Sequence, residues 1–478
     1  MTEMTGESTT LRNSAKKRKG WKWAFFLLFL LVFAWAYTYL GILVTAQNTT
    51  RADGIQEKYI EAAYRTAAFE KGRFDSDVSI TARFTRLFPQ VTDGFVSPLW
   101  PWLVSNYADA PPDQLFEKGK RLNILLSCCA FVLIGLAAAN AFSFSGASAL
   151  ILMGGFGVIL ERSAYFTADA LYLLLFVFAW LCALSLIRQN LLWLYGVFGT
   201  LLGLTILAKS PVWPVLAGFL ITSLIRAATG AFSGRRKREK IDSLWSDANQ
   251  VVGLAILATA MLLVVGPMMS YSAKEHDSAL HNVTGLTLWL DTPADAARFQ
   301  QAVEENGIAS IPKEERPGAI PFVRENGIRT LLSRAWTGAL NQFQSSMLGR
   351  KGWILLYTFF VFVVVAAIHR WAIWKQNEET WLVRGTSARW MLLFLLLTMA
   401  FSLFHAGIGD PVIESNAIIP ALFLPLLLTF IWISERYRRQ LQRTGFANLV
   451  NRVYLALMIL PITWISFRIF DSIQNQLS

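Results

Sequence analysis

The stretch AKKRKGWKWAFFLLFLLVFAWAYTYLGILV, residues 15–44, joins a basic cluster to an apolar run of roughly twenty residues, the length that crosses a bilayer core. The pattern recurs. Apolar runs fall at 24–45, 122–142, 148–165, 167–187, 191–208, 211–228, 250–270, 353–373, 389–405, 415–433 and 450–468. Their apolar residues come in blocks and do not alternate with polar ones, which excludes a soluble amphipathic fold. Only helices that bond their own backbone, or closed barrels, survive in lipid, and runs of this length are helical. The expectation is an all-α polytopic membrane protein with about eleven transmembrane helices. The first run is longer than the core of a secretory signal, and no A-x-A-like site precedes Gln47, so it reads as an uncleaved span.

The location of the charge decides what the formal +12 means. The basic clusters Lys16–Lys19, Arg235–Lys240 and Arg436–Arg443, together with His369-Arg370, each lie beside a span. That is the positive-inside pattern, so these residues set topology and contact anionic lipid; they do not bind nucleic acid. All four agree on a cytoplasmic N-terminus. Two long segments then face outward, 46–121 and 271–352, as does the turn HAGIGDPVIESN at 405–416. The chain divides into a disordered cytoplasmic tail (1–20), an N-terminal membrane module (21–270), an outer segment (271–352) and C-terminal membrane helices (353–478). Short basic inner loops and long outer ones place the chemistry at the outer face. Cys128, Cys129 and Cys182 lie within spans and have neither disulfide nor metal spacing, and the four histidines are scattered.

In the first outer segment, RADGIQEKYIEAAYRTAAFEKGRF (51–74) has helical period. Asp53 and Gln56 make a D-x-x-Q capping box. Ile55, Tyr59, Ala62, Ala63 and Ala67 share one face, Glu57, Glu61 and Arg65 another, and Gly72 closes the helix. A second element, DGFVSPLWPWLVSNYA (93–108), carries two Trp, a Tyr and two Pro, which suits the headgroup layer. Both read as interface elements that hold acids near headgroup depth. In the second outer segment, DTPADAARFQQAVEENG (291–307) reads as a helix with Thr292 as cap and Pro293 at its first position. Arg324 and Arg334 fit phosphate contact or, more simply, solvated loop surface. Asn48 and Asn282 open sequons that matter only in a eukaryotic secretory membrane, and the short loops point to a bacterial chain.

The succession of these features resembles the GT-C glycosyltransferases, in particular the group of protein mannosyltransferases and aminoarabinose transferases. A span, an acidic residue, a juxtamembrane helix with Tyr59 and an x-P-L-x-P-W-L segment follow one another. YFTADALYLLLFVFAWL (165–181) is similar to the T-x-D segment opening the family's fourth span. GTLLGLTILAKSPVWPVLA (199–217) is similar to its G-x-x-x-G-L-x-x-L-x-K segment, and NVTGLTLWLDTPADAARF (282–299) to its outer loop after the seventh span. One departure stands out. The family's first outer loop reads D-E-x-x-Y; counted back from Tyr59, those two positions hold Ile55 and Gln56. The acids here are Asp53 and Glu57, so the working acid is Asp53, or Glu57, or is absent.

The resemblance implies transfer of a sugar from a polyprenyl-phosphate carrier to an acceptor hydroxyl on a protein, lipid or glycan, at the outer face of a bacterial cytoplasmic membrane. A carboxylate must take the acceptor's proton, and cations must hold the departing phosphate. Asp53, Glu57 and Asp169 are the candidate catalytic acids. Asp169 opens a span beside Glu161 and Arg162, where a helix N-terminus also stabilises a carboxylate. Lys209 closes a span on the outer side against the positive-inside bias, which fits phosphate binding or a snorkelling Lys paired with an acid. Tyr59, Arg162, Lys209, His405 and Glu414 form the candidate substrate-binding set. Glu414 is acidic where the family carries a basic or polar residue. A divalent metal among Asp53, Asp169 and Glu414 is conceivable, since related oligosaccharyltransferases use one, but no metal is assigned. Two rivals stand beside this reading. A lipid-linked glycan flippase or transporter would need ionisable groups deep within spans. A non-catalytic GT-C-like subunit would have kept the fold and lost the acid.

Overall fold

The computed structural model describes residues 4–47, 54–73, 94–141, 144–209, 212–233, 240–276, 278–279, 282–348 and 386–409, with 448–449, 452–453 and 456. The expected spans at 353–373 and 415–433 lie outside them, as do all but three residues of the one at 450–468. The described residues are all-helical. The main elements are α1 (Met4–Gln47), α2 (Gly54–Arg73), α3 (Leu99–Ser105), α4 (Pro112–Ala141), α5 (Phe144–Gly154), α6 (Leu160–Ser163) and α7 (Asp169–Gln189). Next come α8 (Leu192–Ala208), α9 (Trp213–Ser233), α10 (Lys240–Glu275), α11 (Val283–Thr287), α12 (Pro293–Asn306), α13 (Ala319–Leu348) and α14 (Thr386–Gly409). Five of these helices are long and apolar enough to cross a membrane: Trp21–Ala46, Pro112–Asn140, Asp169–Ile187, Asn249–Lys274 and Trp390–Gly409. Leu192–Ala208 and Trp213–Thr229 are shorter apolar helices. The chain is a multi-pass membrane protein. Helix α1 starts at Met4 and takes in most of the segment expected as a disordered tail.

The run expected as one span at 148–165 is bent. α5 passes into a π-helical turn, Gly155–Ile159, before α6. The widened turn admits aromatic rings: a Cβ on Gly155 would stand 3.1 Å from the Phe33 ring. Lipid supplies no hydrophobic drive between helices, so close backbone approach has to hold them together. Gly199 and Gly203, four apart on α8, provide it. A Cβ on Gly199 would meet the Leu257 carbonyl of α10 at 2.3 Å, and one on Gly203 would meet Val264 at 2.8 Å. The glycines of the G-x-x-x-G-L-x-x-L-x-K stretch therefore pack α8 on α10.

Hydrogen bonds sort the helix ends into two groups. Ile187 with Arg226, and Ser223 with Gln250, meet at one end. Thr45 with Lys120, Asn123 with Tyr165, Asp169 with Lys209, and Trp213 with His405 meet at the other, where α2, α3 and α11–α12 also lie. This is the end that the basic loops assign to the outside.

The segment 282–311 builds a small core of its own from Val283, Val303 and Ile308, with Phe95 of the first outer segment packed against it. The Val283 N–H donates to the Gly94 carbonyl at 2.9 Å, so the two outer segments dock on each other. Helix α12 forms as its sequence dictates: Pro293 is in its first turn and the Thr292 hydroxyl accepts from the Asp295 N–H at 3.1 Å. Asn282 caps α11 by accepting from the Gly285 N–H.

Candidate functional site

The turn 164–168, between α6 and α7, is fixed from several sides before it delivers Asp169. Gln56 is 1% exposed, and its Oε1 accepts from the Phe166 N–H at 2.8 Å. Asn123 donates to the carbonyls of Tyr165 and Thr167 at 2.7 and 2.8 Å. The Phe166 ring lies against Trp100 and Phe116, with centroids 5.9 Å away in each case. It fills space that only a glycine leaves on α4: a Cβ at Gly119 would be 2.0 Å from the ring.

Two expectations change here. Asp53, the other half of the expected capping box, lies outside the described residues, while the Gln56 oxygen accepts from the Phe166 N–H. The buried face of α2 is Gln56, Tyr59, Ile60, Ala62, Ala63 and Thr66, whereas Ile55 is 44% exposed. Tyr59, Ala62 and Ala63 of the expected face are buried, and Gln56 in place of Ile55 completes that face toward the core. Likewise Trp100 is fully buried in the core and does not face headgroups, because α3 packs beneath α2.

Asp169 is the first residue of α7. Its Oδ1 receives the Lys209 ammonium at 2.5 Å, and its Oδ2 accepts from the Thr167 hydroxyl at 3.1 Å. Arg162 is a second cation within electrostatic reach of the same carboxylate. Lys209 terminates α8, where its extended backbone turns the side chain off the helix. The pair is half-sheltered, with Lys209 and Asp169 side chains 25% and 18% exposed. Tyr59 joins from α2. Burial pushes its phenol pKa up, the Asp169 carboxylate adds to the rise, and the backbone at Ala168 adjoins its oxygen. Tyr59 is therefore a neutral group beside an ion pair.

The structure thus brings together Tyr59, Arg162, Asp169 and Lys209. Glu57 stands on the opposite face of α2, exposed, lining a cavity with Lys58, Glu61 and Arg65. His405 is engaged elsewhere: its Nδ1 accepts from the Trp213 indole at 3.1 Å. Asp53 and Glu414 lie outside the described residues. Among the described residues no group of three His, Cys, Asp or Glu side chains converges as metal ligands do, and two of the three acids conceived for a metal are outside them.

Arg334 is not loop surface. It donates to the carbonyls of Ile408, Leu288 and Leu290 at 3.1, 3.0 and 2.6 Å, and to Asp291 at 3.1 Å.

Sequence reasoning missed Gly119, Asn123, Phe166 and Lys120. Lys120 is fully buried; it donates to the Thr45 carbonyl at 2.9 Å and pairs with Glu117 at 2.6 Å. A signal was present. Lys120, Asn123 and Ser127 are spaced by three and four on an apolar helix, which places polar groups on one buried face.

No family model matches this chain, and no curated protein does.

Proposed function

We propose that the chain is an inverting glycosyltransferase of the GT-C type, which moves a sugar from a polyprenyl-phosphate carrier to an acceptor hydroxyl at the outer face of the cytoplasmic membrane. The observation that supports it is the half-sheltered Lys209–Asp169 pair with Arg162, at the helix ends assigned to the outside. A cation at that boundary runs against topology bias, and two cations beside a turn held from several sides suit a phosphate.

In this reading Lys209 and Arg162 take the negative charge that grows on the carrier phosphate as its bond to the anomeric carbon breaks. Asp169 is a positioning residue: it holds and directs the ammonium, and its own oxygens already accept from Lys209 and Thr167. The acceptor oxygen attacks the anomeric carbon from the opposite side, inverting it, and its proton passes to a nearby base; Glu57 faces away from Lys209 and Asp169 on α2, which leaves Asp53, outside the described residues, as the expected acid. The phosphorylated carrier leaves. Tyr59 couples α2 to Asp169. The carrier tail would lie along the lipid-exposed helices, where burial of each CH₂ is worth about 0.8 kcal/mol.

The test is transfer in lipid nanodiscs from radiolabelled undecaprenyl-phosphate sugars to a membrane extract, with Lys209→Met and Asp169→Asn beside the wild type. Transfer by the wild type, with a loss of a hundredfold or more in Lys209→Met and a smaller loss in Asp169→Asn, supports the reading. Transfer unchanged in both variants, or none by the wild type with any sugar supplied, removes it in favour of a transporter or a non-catalytic subunit.

A further inference from the structure

Between α2 and the segment carrying α11 and α12 lies a cavity of about 970 Å³. On one side α2 contributes Ile55, Glu57, Glu61 and Arg65. On the other stand Thr284, Gln300, Val303, Ile308 and Ala309. Lys58 spans the gap, paired with Glu304 and lying over the Phe95 ring at 3.8 Å from its centroid. The volume is at the upper end for small-ligand sites and has room for several sugar rings.

The lining selects among ligand classes. Its cations are engaged with carboxylates: Lys58 with Glu304, and Arg65 with Glu61 at 4.0 Å. Three glutamates against one lysine and one arginine, with His276 also on the lining, give an acidic excess that disfavours a phosphate or another anion. An acyl chain is disfavoured by the carboxylates, amide and hydroxyl along both walls. What remains is an apolar floor of Ile55, Val303 and Ile308 ringed by hydrogen-bond acceptors, the Glu57 and Glu61 carboxylates and the Gln300 amide oxygen, with the Thr284 hydroxyl beside them. A neutral chain of hydroxyl-bearing rings offers donors to those acceptors and an apolar ring face to that floor.

We propose that this cavity binds a neutral oligosaccharide, the acceptor of the transfer described above, with α12 as its specificity wall. The inference rests on the glycosyltransferase reading for the word acceptor alone; the saccharide site stands on the cavity. Glu57 and Glu61, on the α2 wall, then accept from the saccharide's hydroxyls, and this gives the helix at 293–306 a role that its sequence did not disclose.

The experiment is equilibrium binding to the full chain in nanodiscs, with tritiated maltotetraose and chitotetraose as probes and trilysine and inorganic phosphate as competitors. Ala309 is exposed at the rim, so Ala309→Trp fills the mouth without disturbing a core. Gln300→Leu removes the amide at nearly constant volume. Saturable binding of either saccharide, weakened at least tenfold by Ala309→Trp and threefold or more by Gln300→Leu, supports the site. Failure of both saccharides to bind, binding unaffected by Ala309→Trp, or displacement by trilysine at micromolar concentration overturns it, the last in favour of a cationic peptide. The two readings fail separately. Saccharide binding without any sugar transfer leaves the cavity and removes the enzyme. Transfer that depends on Lys209 without saccharide binding leaves the enzyme and removes the cavity's role.

Discussion

The Lys209 ammonium stands 2.5 Å from the Asp169 carboxylate, across forty residues of sequence and two helices. Each partner shelters the other from lipid and water, and neither is fully buried. Breaking the pair should therefore cost about 2 kcal/mol, between the ~1 kcal/mol of exposed pairs and the 3–5 kcal/mol of buried ones. Asp169→Asn and Lys209→Met should each lower the unfolding midpoint in detergent. The double variant should lose less than the two singles summed, since it strands no charge. Strict additivity would mean that the pair does not couple in the folded protein.

Gln56 gives a second expectation. With its side chain 1% exposed and its oxygen on the Phe166 N–H, Gln56→Ala leaves a buried donor without a partner. The cost is about 1–3 kcal/mol, concentrated in the turn that carries Asp169. Gln56→Glu keeps an acceptor at that position and should recover part of the loss below neutral pH, where a buried carboxyl is more easily kept neutral. Equal destabilisation by both substitutions at pH 5 would remove the hydrogen bond as the cause.

Much of this architecture was readable before any coordinates. Apolar runs of span length mark the membrane helices among the described residues, because that signal is carried by composition over many residues. Thr292 and Pro293 marked the start of α12 because capping is local. Tyr59, Ala62 and Ala63 place the inner face of α2 correctly, but its first turn presents Gln56 and not the apolar Ile55, since the partner awaiting Gln56, the Phe166 N–H, is 110 residues away. Asp169 and Lys209 could each be suspected from position, but their pairing is a tertiary fact. Gly119 was silent, because its reason for being glycine is a ring on another element.

Tyr59 makes alkaline stability informative. Burial first, and the Asp169 carboxylate second, raise its pKa above the ordinary 10.0. The folded chain thus holds the proton while the unfolded chain releases it at about pH 10, so this contribution is complete below pH ~10 and is lost as pH rises beyond it. Tyr59→Phe has no proton to lose. Its unfolding midpoint should fall less steeply between about pH 9 and pH 11 than that of the wild type. Parallel curves would place the phenol in solvent.

The crossing of α13 and α14 depends on two glycines. A Cβ on Gly338 would lie 2.1 Å from the Gly407 carbonyl oxygen, and one on Gly407 would lie 2.1 Å from that of Ala335. The obstacle is backbone in each case, so the helices must separate. Gly338→Ala and Gly407→Ala should each destabilise by about 1–3 kcal/mol. Gly266 is the control: a Cβ there meets nothing within 4 Å, and Gly266→Ala should be neutral or stabilising by up to about 1 kcal/mol from helix propensity. Thermal unfolding of the three variants side by side decides it, and a loss at Gly266 matching the other two would point to a general intolerance of alanine.

Arg334 ties that crossing to the outer segment. Its guanidinium reaches the Ile408 carbonyl on α14 and the Leu288 and Leu290 carbonyls before α12, with Asp291 alongside. A lysine offers one ammonium where a planar fork serves several carbonyls at once. Arg334→Lys and Arg334→Met should therefore both release the turn between α11 and α12. At about 1.5–3 kcal/mol for a charged hydrogen-bonded group, local opening becomes roughly ten- to a hundredfold more frequent. Limited proteolysis from the outer side should then cut near 288–292 faster by that factor, whereas Arg324→Gln, at an exposed position, should leave the rate unchanged. If the lysine variant resists protease as well as the wild type does, charge alone holds the segment and the fork geometry is irrelevant.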